Sequence, residues 1–310
     1  MARRWGLAGW AVLAVLLIAV PMLSHPALRA DVLGDSLILL MVSWSPMLIG
    51  GILAWALTWG FGAREQLDRR VVRAMDGHPL NREMAWLALL LVCFVLSMAA
   101  LSLLFRTFGA QIGADLAMSA SLVSRLLFLF TLPLLIMDRS GVTVDGKGTD
   151  MPAIALKVSE PWRWAGLLPV GVALGLLGYL LIPYSGLPEP SFPLLGFVLA
   201  FTVIAVCEEI FFRGMVQSRL EIQMGRWGGI VATSVIFAVT YAVIQPYDAV
   251  SQLPGNDLVY NTGLALLTYA TASLLYGYLW ACFRNTWLQV SMRVGVFLMI
   301  MPPDLQIGVG

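Results

Sequence analysis

Charge is what this sequence lacks. Asp, Glu, Lys and Arg make up 12% of its 310 residues, against about 25% in an ordinary soluble domain. A water-soluble fold of this length would need charges over its whole surface, and here they are confined to a few short stretches. Acidic and basic residues nearly cancel, leaving a formal net charge of +1. The basic residues follow the loops and form no single patch, so nothing points to nucleic acid. Cysteine is scarce as well. Cys93, Cys207 and Cys282 lie far apart in apolar runs, which excludes a disulfide framework and a metal-binding spacing and leaves buried, inert thiols. The sequence has no internal repeat and no low-complexity segment.

What it does have is apolar runs long enough to cross a bilayer. A helix rises about 1.5 Å per residue, so about 20 apolar residues span the hydrocarbon. Nine candidates are present: Trp5–Leu23, Ser36–Gly60, Met84–Phe105, Leu116–Met137, Trp164–Ile182, Pro193–Arg213 (extendable to Leu220), Gly228–Gln245, Thr262–Phe283 and Thr286–Pro302. The expected fold is an all-α, polytopic membrane helix bundle of about eight to nine crossings, since the first and last segments need not cross fully.

Basic residues set the orientation, because cytoplasmic loops are rich in Lys and Arg. With the N-terminus inside, the inner segments hold 15 of the 19 basic residues, from Arg3 and Arg4 through Arg64, Arg69, Arg70 and Arg73 to Arg284. The outer segments hold Arg29 and Arg106, while Arg125 and Arg293 fall within spans. The N-terminus is therefore expected in the cytoplasm. Arg3-Arg4 resembles an export signal, but the following run is long and has no small-residue cleavage site, so a retained helix is expected. The arginines of Arg64–Arg82 allow a membrane-surface role, though a topogenic role explains them fully, and the loop Ala63–Glu83 has room for a short surface helix. Asp138–Arg163 contains the turn formers Ser140-Gly141, Asp145-Gly146 and Gly148. Gly171 and Gly175 form a small-x-x-x-small pair that permits close helix contact. Composition shifts little along the chain, so residues 1–163 and 164–310 are read as the N-terminal helices and the core of one continuous membrane domain.

Two carboxylates stand out. Glu208 and Glu209 lie deep in the run Val203-Ile-Ala-Val-Cys-Glu-Glu-Ile-Phe-Phe-Arg213, where charge costs a few kcal/mol, roughly 2.5–3.5 on insertion scales, and needs a partner or a cavity. Glu209 and Arg213 are one helical turn apart in the favourable order for an ion pair. Glu208 points about 100° away from that pair. Left unpaired, it is a candidate general base toward water. A salt-bridge network that only joins helices accounts for the same residues.

Glu208-Glu209-x-x-x-Arg213-Gly214 resembles the first motif of the CPBP (CAAX-protease and bacteriocin-processing, or Abi) family of intramembrane peptidases. Phe237 matches the start of that family's Phe-x-x-x-His motif, Arg284-Asn-Thr-Trp287 its last lead-in, and Trp44-Ser-Pro46 an N-terminal pattern. The resemblance covers roughly Pro193–Phe297. It implies that Glu208 activates a water for peptide hydrolysis, braced by Glu209 and Arg213, with histidines from two later helices.

Those histidines are absent. Tyr241 and Gln245 stand at the positions of the first histidine and its companion, and Arg293 and Phe297 at those of the second. The chain's two histidines, His25 and His78, lie in loops. No His/Glu metal site and no cofactor is expected. Tyr241 and Gln245 are both donors and suit an oxyanion role. Arg293 opposite Glu208 would instead build a neutralised charge cluster, with Glu209 held by Arg213.

Three functions follow as alternatives. One is an intramembrane endopeptidase working with Glu208, Tyr241 and Gln245. Another is a non-catalytic binding protein or scaffold. The third is redirected glutamate acid/base chemistry on an isoprenoid or lipid, in a pocket lined by Phe211, Phe212, Tyr241, Tyr247 and Trp280. The expected partners are the bilayer and a peptide, prenylated or lipid-like molecule, and the expected location is a bacterial cytoplasmic membrane.

Overall fold

The computed structural model describes residues 2–60, 64–108, 110–139, 151–248, 253 and 257–301. All regular structure among them is helical. The turns expected at Ser140, Asp145 and Gly148, and most of the loop before Asn261, lie outside the described residues.

Eleven helices carry the argument. They are α1 (Ala2–Ser24), α2 (Ser36–Trp59), α3 (Arg64–Ala74), α4 (Leu80–Arg106) and α5 (Met118–Met137). There follow α6 (Pro161–Tyr184), α7 (Phe192–Met224), α8 (Arg226–Tyr247), α9 (Leu258–Leu267), α10 (Tyr269–Phe283) and α11 (Thr286–Ile300). Seven are long and apolar enough to cross a membrane, or eight if α9 and α10 form one span bent by 42°. The ninth apolar run forms α11, which at 15 residues falls short of a full crossing.

The chain is a polytopic helical membrane protein. Its lipid side is visible in Leu16, Ile52, Leu96 and Leu199, all more than half exposed, which a water-soluble surface tolerates poorly. α8 is the central helix, buried along most of its length, whereas α1 is peripheral and almost wholly unburied. Small residues let helices approach α8. A Cβ on Gly229 would stand 2.7 Å from the backbone nitrogen of Glu221, so only hydrogen fits there. Gly171 and Gly175, the expected close-contact pair, have no atom within 4 Å of such a Cβ. They face open space because α6 turns other residues, such as Ala173 and Leu177, into the core.

The bundle's ends are chemically distinct. At one end Arg226 meets Asp68 (2.5 Å), Arg284 meets Glu221 (2.5 Å), Arg70 meets Glu160 (2.9 Å) and Arg219 meets Glu83 (2.6 Å). The start of α1 lies there too, because a Cβ on Gly6 would touch Met224. At the other end Arg106 donates to the Pro246 carbonyl (2.9 Å), and Tyr260 to Asp31 (2.8 Å). Segments assigned to one side by charge thus share one end of the molecule.

Three spans contain π-helical turns, at Leu39–Trp44, at Leu126–Thr131 with Leu134–Arg139, and at Ile210–Gln217. Two of them begin immediately after Arg125 and Glu209. A π turn widens the helix by one residue and re-aims the side chains that follow, a frequent device at functional sites.

Candidate functional site

Glu208 and Glu209 end the α-helical part of α7 and are fully buried. Glu208 is not left unpaired. Its Oε1 accepts from Arg125 Nε on α5 (2.5 Å). Its Oε2 accepts from the Tyr241 hydroxyl on α8 (2.7 Å) and from Arg293 Nη2 on α11. Arg293 Nη2 also donates to the Tyr241 oxygen (2.7 Å), so the phenol passes the polarity on to Glu208.

Glu209 faces the other way, as helix geometry requires. Its Oε2 takes Arg213 Nε (3.2 Å), one turn along the chain, and its Oε1 takes Arg293 Nη1 (3.1 Å). Arg293 therefore bridges both carboxylates. Arg213, counted by sequence among the inner-end residues, is buried here, and its Nη2 donates to Ser273 on α10 (2.7 Å). The rings of Phe237 and Tyr276 lie 5.5 and 6.0 Å from its guanidinium carbon, and Phe237 also faces Arg293 at 5.4 Å. Such contacts supply favourable electrostatics to a cation cut off from water.

A third carboxylate joins from beyond the end of α8. Asp248 receives Arg125 Nη2 (2.7 Å) and Nη1 (3.3 Å) and the Ser121 hydroxyl (2.6 Å). The fork is bidentate, the strong geometry for guanidinium and carboxylate. Glu208, Glu209 and Asp248 thus face Arg125, Arg213 and Arg293, and the charges cancel. Asp248 lies between the apolar runs Gly228–Gln245 and Thr262–Phe283, and sequence reading did not single it out. The available signal was Arg125, a cation in an apolar span that required a counter-ion.

Of the six residues singled out by sequence, five meet: Glu208, Glu209, Arg213, Tyr241 and Arg293. Gln245 does not join them. The α-helical part of α8 ends at Ile244, and the side chain of Gln245 turns to the Leu253 carbonyl (2.6 Å). The histidines stand at the two ends of the bundle, His25 beside Asp257 (3.5 Å) and His78 on Glu83 (2.8 Å). Among the described residues, no group of three or more His, Cys, Asp or Glu side chains could hold a metal ion.

Beside the cluster lies a cavity of about 280 Å³, walled by α2, α6, α7, α8, α9, α10 and α11. Arg293 and Tyr241 form its polar edge, and Leu177, Phe201, Tyr269 and Phe297 are among its apolar walls. Tyr241 is the only one of the five aromatics expected around a pocket that lines this cavity. Phe211 and Phe212 pack in the core beside it, and Trp280 packs beneath α3. The bend between α9 and α10 opens onto the cavity at Thr268. Trp44 Nε1 donates to the Leu267 carbonyl (3.1 Å), a backbone group at the break.

Residues 190–298 match the family model described as type II CAAX prenyl endopeptidase Rce1-like. The match covers about a third of the chain and makes that segment similar to the Rce1-like endopeptidases. No curated protein and no solved structure matches the chain. The matched segment carries Glu208, Glu209, Arg213, Tyr241, Asp248 and Arg293, while Arg125 reaches in from outside it.

Proposed function

We propose that this chain binds a molecule with an apolar chain, lipid-like, prenylated or peptide, in the cavity beside Arg293. Its charge cluster serves to hold the helices and not to hydrolyse. The observation that carries this reading is the double arginine pairing of Glu208. A general base must offer a lone pair to the water it deprotonates. Here Arg125, Arg293 and Tyr241 take up three of the roughly four acceptor positions of that carboxylate.

The cavity supports an apolar occupant. Its walls are aliphatic and aromatic side chains, with a polar edge at one place, the usual composition of a site for a largely apolar ligand. The end of the bundle rich in arginines faces the cytoplasm in this reading, and the host is a bacterial cytoplasmic membrane.

Ala272 lines the cavity and gives the test. Ala272→Phe fills space without touching the ion pairs. Wild type purified from membranes is expected to carry an apolar-chain molecule that mass spectrometry of the extract identifies. Ala272→Phe should retain several-fold less of it. Equal amounts bound to both proteins would refute binding in this cavity.

Glu208-dependent peptide hydrolysis is the second reading, favoured by the family match over residues 190–298. The two part on one point, whether any product depends on Glu208.

A further inference from the structure

The surface helix α3 carries a feature that the charge cluster does not use. Its sequence Arg-Glu-Gln-Leu-Asp-Arg-Arg-Val-Val-Arg-Ala places apolar side chains one turn apart. Leu67, Val71 and the following Met75 bury against Ile154, Ala155 and Trp280. Anchoring that stripe leaves Arg69, Arg70 and Arg73 exposed on the opposite face, within one turn of one another. Beside them lies an open recess of about 890 Å³, to which Lys157, Gln66 and Ser159 also contribute.

Among the described residues, the recess is lined by four cations and no carboxylate. Of the four, only Arg70 forms an ion pair with a described residue, Glu160 at 2.9 Å. Arg69 spends its Nε on the Glu65 carbonyl and keeps its remaining N–H groups. Arg69, Arg73 and Lys157 therefore present about three uncompensated positive charges to one space.

We propose that this recess binds the phosphodiester headgroup of an anionic phospholipid. Guanidinium forks match phosphate oxygens in pairs, and a lysine adds a point charge. The level of the recess favours a lipid over a free phosphate. α3 connects the end of α2 to the start of α4, so it lies where spans leave the hydrocarbon. Trp59 at that end of α2 is 81% exposed, the place of an interfacial aromatic, and Val72 on α3 is 57% exposed. Apolar groups beside the cations suit a ligand whose phosphate continues into acyl chains. A bilayer also supplies such headgroups at high local concentration, and juxtamembrane cations gain from them additively.

The test uses the full chain in mixed micelles containing phosphatidylglycerol and phosphatidylcholine, with retained lipids counted by native mass spectrometry. Wild type is expected to retain phosphatidylglycerol about tenfold over phosphatidylcholine. Arg69→Gln/Arg73→Gln/Lys157→Gln, all exposed side chains, should bring that preference to within about twofold. Lys157→Gln alone should give an intermediate value, and Arg29→Gln at the other end should match wild type. An unchanged preference in the triple variant overturns the proposal. So does displacement of the retained lipid by millimolar glycerol phosphate, which would make the ligand a soluble phosphate.

Discussion

Arg125→Gln is expected to cost about 3–5 kcal/mol of stability, the range for removing one side of a buried ion pair. Arg125 is fully buried and stands between two carboxylates, Glu208 and Asp248. Its loss leaves both facing a neutral amide in a place where water cannot repay them. Asp248→Asn should cost less, because an asparagine oxygen still accepts from Arg125 and from Ser121. Thermal unfolding in detergent, read against the amount of folded protein in membranes, measures both. A variant at Arg125 within about 0.5 kcal/mol of wild type would show that the triple charge cluster contributes nothing.

Arg293→Gln is the second large effect, again about 3–5 kcal/mol. Arg293 donates to Glu208, Glu209 and Tyr241 together, so its removal uncouples α11 from α7 and α8. The distinctive expectation concerns the pair. Adding Glu208→Gln to Arg293→Gln removes the charge that was left without its bridge. The double variant should therefore be less damaged than the sum of the singles by about 1–3 kcal/mol. Additive costs would mean that Arg293 acts through packing against Phe201 and Phe237 and not through the carboxylates.

The two effects rest on residues that were unequally legible. Glu208, Glu209 and Arg213 were plain, because a charge inside an apolar run contradicts its surroundings. Motif register put Arg293 at a position from which it could face Glu208 and left the contact open; in the structure the two side chains pair. Arg125 was visible as a cation in a span, yet its partner was not. Asp248 is brought to it by the short 3₁₀ turn Gln245–Tyr247, which folds the chain back beyond the end of the helix. No periodicity announces such a turn. The same turn explains why Gln245, on Tyr241's face in an ideal helix, points elsewhere.

The spans were legible at the level of length and hydropathy, and α3 only as room for a short surface helix between two of them, its apolar stripe of Leu67 and Val71 emerging with the structure. The bend at Thr268 was not, since neither proline nor glycine marks it. At the break the Thr268 and Thr271 hydroxyls bond back to the carbonyls of Leu264 and Leu267, and the Trp44 indole also donates to the carbonyl of Leu267. The cavity was equally invisible, because side chains from seven helices define it and sequence fixes none of their relative positions. Of the aromatics named for the redirected-chemistry alternative, Tyr241 lines the cavity. Phe211, Phe212 and Trp280 are as apolar as any pocket wall but face the packed core.

The most direct measurement compares cells producing wild type or Glu208→Gln at matched levels of folded membrane protein. Their peptides and lipid-soluble metabolites are surveyed by untargeted mass spectrometry. A glutamate that only holds Arg125 and Arg293 in place predicts the same products in both. A peptide fragment or modified lipid formed with wild type and missing with Glu208→Gln would contradict it and make Glu208 catalytic.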